Sequence, residues 1–334
     1  MTPIAALRDG VSRVVRAPAI LAGLWLATFL IAIGPALMVR DSIAGHLGAS
    51  LEGERSTEAV NYDWLQEFMS QAQGPAASLT PAVLGFAAVL DNASAMFDGR
   101  RRPLVVTIAS AMAVGVWLFL SGGIIDRYAR LRPLGAHAFF AASGGFFVRF
   151  LRLGAIAAIV YAWLFLGVHP ALGDVQVTLT ADATSERTVV LVRAAVEVPF
   201  VLAVAAVHVL FDYARVRAVV EDRRSMLAAL AAALRFISAN PGAVAAVYVG
   251  NVLLLGIIIS AYALAAPGAG DTGLVMWATF FIGQAYIVAR TGARLAFWGS
   301  ATALFQSRLA HAGYVATPVP AWPDSATVEA IRRA

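Results

Sequence analysis

Apolar residues fall along this chain in long unbroken runs, not at helical or alternating spacing, and the polar residues gather in the gaps between them. A bilayer core about 30 Å thick is crossed by roughly 20 helical residues, so runs of that length are the pattern that matters. Six qualify, at residues 19–39, 104–125, 153–172, 189–211, 243–265 and 274–289. Each is expected to be an α-helix, because backbone groups in lipid must bond within their own segment and the runs are too long and uniform for barrel strands. The fold class that follows is all-α, a polytopic membrane bundle with residues 1–334 forming a single transmembrane domain.

The gaps alternate in charge. Arg8, Arg13 and Arg16 precede the first run, Arg127, Arg130, Arg132, Arg149 and Arg152 separate the second from the third, Arg215, Arg217, Arg223, Arg224 and Arg235 separate the fourth from the fifth, and Arg290, Arg294, Arg308, Arg332 and Arg333 follow the sixth. The other gaps are mainly acidic. Cytoplasmic loops carry the basic excess, which predicts both termini inside and the first run retained as a signal anchor, since it is too long for a cleaved leader. Residues 40–103 form an outer insertion in which Val60, Trp64, Leu65 and Phe68 share a face of a helix expected over Glu58–Gln71, a small lid. Pro81–Phe97 is expected to be interfacial or re-entrant, although Arg100, Arg101 and Arg102 then lie on the side the charge rule disfavours. In-plane inner helices are expected at Phe139–Arg152 and at Val219–Ile237. The second opens on Glu221 and Asp222, where the helix dipole favours acids, and is ended by Pro241. The Pro-rich tail, 310–334, is too short for a domain.

Composition adds exclusions. With 60% hydrophobic and 13% charged residues and a mean hydropathy of +0.76, the chain lies outside the soluble range. No cysteine is present, which rules out disulfides, thiolate metal sites and thiol nucleophiles. All 25 basic residues are arginine, which reads as the codon usage of a GC-rich bacterium and hence a bacterial inner membrane. The basic residues flank the spans and face anionic lipid, so nucleic acid is not an expected partner. An arginine at a span entry followed about twelve residues later by an aromatic recurs as Arg13 and Trp25, Arg149 and Tyr161, Arg235 and Tyr248. That recurrence suggests three two-helix hairpins, though any inward membrane boundary collects the same residue types.

Candidate chemistry centres on the fourth run. Arg193, Glu197, His208, Asp212 and Arg215 project within an arc of roughly 100° on a helix, and ionisable groups within a span usually face the bundle interior. Arg193 with Glu197 and His208 with Asp212 are one turn apart and able to pair, Glu197 lies near mid-membrane, and Pro199 introduces a local kink. Two readings stay open: an aqueous path in which Glu197 takes a proton or cation and His208 relays it, or a buried pair that fixes helix register. Asn251 and Gln284, at depth on the fifth and sixth runs, either line that path or glue helices together. Phosphate-loop, zinc-protease and hydrolase signatures are absent, and no cofactor or metal is expected. The functions in view are a small permease or channel-like protein for a solute or ion, a non-transporting scaffold or accessory protein, and a lipid-directed enzyme.

The inner segment from Val219 to Phe236, with Glu221, Asp222, Arg235, Phe236 and Pro241 leading into a span, resembles the inner collars of six-span bacterial families. One is the membrane domain attached to some glycerophosphodiester phosphodiesterases. The resemblance covers residues 120–265 and implies architecture only. That domain has no catalytic residues to carry over.

Overall fold

A computed structural model describes residues 1–48, 61–78, 104–131, 133, 135–265 and 273–308. Its elements are helices throughout: α1 (Pro3–Val15), α2 (Pro18–Gly48), α3 (Tyr62–Gln71), α4 (Leu104–Arg130), α5 (Ala136–Thr180), α6 (Glu186–Val220), α7 (Met226–Ala239), α8 (Pro241–Ala265) and α9 (Leu274–Arg308). Six of them, α2, α4, α5, α6, α8 and α9, are long and apolar enough to cross a membrane. The chain is a multi-pass membrane protein. Residues 81–97 and 310–334 lie outside the described residues.

Four boundaries differ from expectation. Phe139–Arg152 is not a separate in-plane helix but the opening of α5, which has 45 residues. At 1.5 Å per residue such a helix is about 67 Å long, over twice the hydrocarbon core, so it extends well beyond the membrane. Nothing between Phe139 and Leu153 breaks a helix, since Gly144 and Gly145 only weaken one. Farther along, α5 widens into a π-turn at Leu164–Val168 just before Pro170. Proline lacks an N–H and crowds the carbonyl four residues back, and the wider turn accommodates both defects. Likewise α9 runs unbroken from Leu274 to Arg308, well past the expected limit at 289.

The third difference concerns Glu221 and Asp222, which end α6 instead of starting α7. Asp222 has φ +47°, its N–H reaches Val219 O, and the Arg223 N–H reaches Ala218 O at 3.0 Å. These are the paired bonds of a Schellman motif, with an aspartate in the left-handed position that glycine usually takes. Its carboxylate also binds Arg149 of α5 at 2.5 Å, so one residue closes α6 and fastens α5. The following helix, α7, starts at Met226 with Ser225 as its N-cap.

The fourth is α1 itself, which occupies what reads as a simple basic leader. Thr2 caps it and Pro3 opens it. Its buried face is Ala6, Gly10, Arg13 and Val14. Gly10 crosses Gly299 and Ser300 of α9 so closely that a Cβ on Gly10 would lie 2.5 Å from the Ser300 nitrogen. Leu7 fills the space over Gly250 of α8.

The principal core sits where the start of α2, the end of α4, the first half of α5, the end of α6, the start of α8 and the end of α9 converge with α1 and α7. We refer to this as the basic end. Small residues permit close approach there, as membrane helices require. A Cβ on Gly122 of α4 would lie 2.6 Å from that of Phe146 of α5. Arg13 is buried and joins three helices: its guanidinium binds Asp9 at 2.7 Å, Tyr128 O of α4 at 2.6 Å and Gln306 of α9 at 3.2 Å. Burial lowers its pKa, and the Asp9 carboxylate opposes that shift. At the opposite end a small second core forms where Trp64, Leu65 and Phe68 of α3 cover Ile43 and Leu47 of α2, and Trp64 Nε1 donates to His46 Nδ1 at 2.9 Å.

Candidate functional site

Above the basic-end core the spans flank a half-open cavity of about 680 Å³. Helices α2, α4, α6, α8 and α9 line it, so it is central. Its contributions follow helical spacing. On α9, Ile287, Arg290, Thr291, Arg294, Phe297 and Trp298 form one face, and on α6 His208, Asp212 and Arg215 do the same. Its apolar wall is formed by Ala113, Val114 and Leu118 of α4 with Val252 and Leu255 of α8.

Asp212 is the hub of the polar floor. It is buried, accepts from Trp298 Nε1 at 3.1 Å, pairs with Arg215 at 2.7 Å and lies 3.4 Å from His208 Nε2. Tyr161 of α5 meets the other His208 nitrogen, Nδ1, at 3.3 Å. Trp298 in turn stands edge-on to Trp117 at 5.5 Å, and the Arg294 guanidinium lies over the Trp117 ring at 4.1 Å. Cation–π stacking of this kind fixes the guanidinium plane while leaving its donors free to bond.

Charge on this floor is unbalanced. Arg215, Arg290 and Arg294 supply three positive charges and Asp212 one negative, leaving two positive when His208 is neutral. Asp212 already holds Arg215. Among the described residues neither Arg290 nor Arg294 forms an ion pair, in contrast to Arg13, Arg130, Arg149, Arg217 and Arg223, each of which is paired with an acid.

The six residues singled out from the sequence separate into three groups. His208 and Asp212 face the cavity. Arg193 and Glu197 do not line it, nor do they pair with each other. Glu197 instead lies 3.4 Å from His169 Nε2 of α5, beside the π-turn, where His169 packs on Phe200 at 4.8 Å. Arg193 is exposed. The physical reason is competition between partners, because the neighbouring helix supplies an imidazole on the inward face whereas Arg193 can extend outward. Asn251 and Gln284 bridge helices: Asn251 Nδ2 donates to Ser300 Oγ at 2.8 Å, and Gln284 Oε1 accepts from Trp25 Nε1 at 2.9 Å.

Arg290 and Arg294 were assigned to the membrane boundary by the charge rule, yet they line the cavity. Their spacing of four residues, on the face that also carries Trp298, was the signal available in the sequence.

The fold and the site define a helical, multi-pass membrane protein with an arginine-bearing internal cavity. Comparison with known proteins adds nothing to that: no family model fits the chain, and neither a curated protein nor a solved structure is detectably similar.

Proposed function

We propose that the protein is a small permease or channel-like carrier of the bacterial inner membrane, with both termini cytoplasmic, and that the central cavity is its solute site. The observation that carries this reading is the cavity of about 680 Å³ with a charged floor, within the usual size range of ligand pockets. A bundle serving only as a scaffold has no reason to keep ionisable groups facing an internal void, since each is costly in a membrane. The arrangement we favour is three span pairs, α2 with α4, α5 with α6 and α8 with α9, each pair in contact. The small α3 core serves as a cap at the outer end. The architectural resemblance to the phosphodiesterase-linked membrane domain is part of this proposal and carries no activity.

The chain has no native cysteine, so a single one reports cleanly. The variant Ile287→Cys should react in sealed vesicles with a small membrane-impermeant thiol reagent from at least one face. Failure to react from either face, with a surface control such as Arg224→Cys labelling normally, would remove the aqueous cavity and with it the carrier.

A further inference from the structure

We infer that the occupant of this cavity is an anionic amphiphile bearing a phosphate group, held by Arg290 and Arg294 with its apolar part along α4 and α8. This rests on the cavity being a binding site, as proposed above, and adds the chemical class of what it binds.

Three observations lead there. First, the floor carries two positive charges more than its own acid neutralises, and both belong to arginines without an ion pair among the described residues. Uncompensated charge at such a position is costly, and a phosphate monoester, with a charge near −2, compensates both. Second, Arg290 and Arg294 stand one helical turn apart on the face of α9 that lines the cavity, and the Arg294 guanidinium is stacked on Trp117, so the donors of both are available to one tetrahedral anion. Third, apolar residues, among them Val114, Leu118, Val252 and Leu255, line the same cavity. A free inorganic anion gains nothing from that wall, whereas an alkyl chain does, at roughly 0.8 kcal/mol per buried methylene.

The path we assign to such a molecule is the seam between α6 and α8, where the His208 and Tyr248 rings stand 6.5 Å apart. A chain passing through that seam would reach the surrounding lipid while its head stayed on the floor.

The test uses the full chain in detergent carrying a single reporter, Val252→Cys on the apolar wall, and measures protection from N-ethylmaleimide by three probes. These are dodecyl phosphate, inorganic phosphate and dodecyl maltoside. Dodecyl phosphate should protect at concentrations at least tenfold lower than dodecyl maltoside, and inorganic phosphate should protect weakly or not at all. Adding Arg290→Gln and Arg294→Gln should weaken protection by dodecyl phosphate roughly tenfold per arginine, as loss of charged hydrogen bonds implies. The equal charge change Arg152→Gln with Arg224→Gln, at exposed positions, should leave it unaltered. If the glutamine pair does not fold, Arg290→Lys with Arg294→Lys retains charge without the planar fork and should show intermediate protection. Equal protection by dodecyl phosphate and dodecyl maltoside would overturn the anionic part. Equal protection by inorganic phosphate and dodecyl phosphate would overturn the amphiphile in favour of a free anion. Both results require a reporter that reacts when no probe is present, which separates them from failure of the cavity itself.

Discussion

The two ends of this bundle are held by different physics. At the basic end, seven helices and the start of α2 converge on buried residues such as Phe150, Leu153, Ala214, Leu295 and Phe305. At the other end the same spans leave Leu166, Leu264 and Leu274 almost wholly bare, the last two at 90% and 87% exposure. In water such bareness would drive collapse, but lipid tails are as apolar as leucine and supply no comparable force. Helices in a bilayer associate where backbones can touch or polar groups can bond. Both devices, the Gly10–Gly299 crossing and bonds such as Asn251 to Ser300, are concentrated at the basic end. The fold is therefore fastened at one end, and the cavity lies just above the fastening.

The contrast is broken most directly at Gly10. Gly10→Val drives a side chain into the backbone of Ser300 and should cost more than about 3 kcal/mol, seen as loss of monodisperse protein and a collapse of the thermal transition in detergent. Its counterpart Gly34→Ala on α2 has open space around it and should be neutral or stabilising by under about 1 kcal/mol, a difference the same melt resolves. Next in size, Arg13→Gln leaves Asp9 without its ion pair and Tyr128 O with a weaker donor. We expect about 2–4 kcal/mol of destabilisation by thermal melt. Asp212→Asn retains an acceptor for Trp298 but releases Arg215. It should cost about 1–3 kcal/mol and raise the positive charge of the cavity floor, measured as tighter dodecyl phosphate protection at Val252→Cys. Smallest is Trp25→Phe, which removes one bond to Gln284 midway along the bundle, for about 0.6 kcal/mol.

Much of this arrangement could be read from the chain, and the exceptions share a cause. The six spans follow from run length alone, a one-dimensional property. The helix of Trp64, Leu65 and Phe68 followed from spacing, and those residues are buried together. Partner identity was not available. Glu197 has Arg193 one turn away in sequence, but the ionisable group beside it is His169 on another helix. Asp222 reads as a helix-starting acid, yet it accepts the left-handed conformation that closes the preceding helix. The α1 helix was hidden because its buried stripe, Ala6, Gly10, Arg13 and Val14, holds a single large apolar side chain. For the cavity, His208 and Asp212 were visible as charges inside a span. Arg290 and Arg294 were masked by a statistical rule that explains any arginine near a membrane boundary without asking which way it points.

The Gly10 crossing has a bearing on how the protein is made. Helix α1 docks on α9, so the fastened end cannot be completed until α9 has emerged from the ribosome and entered the membrane. Until then the nascent spans sit in the bilayer with the α1 groove empty and the cavity lacking the wall that bears Arg290 and Arg294. A chain cut short before α9 would lose both its clasp and its arginines, and the cell's quality-control proteases would meet it with the small-residue faces of α1 and α8 uncovered.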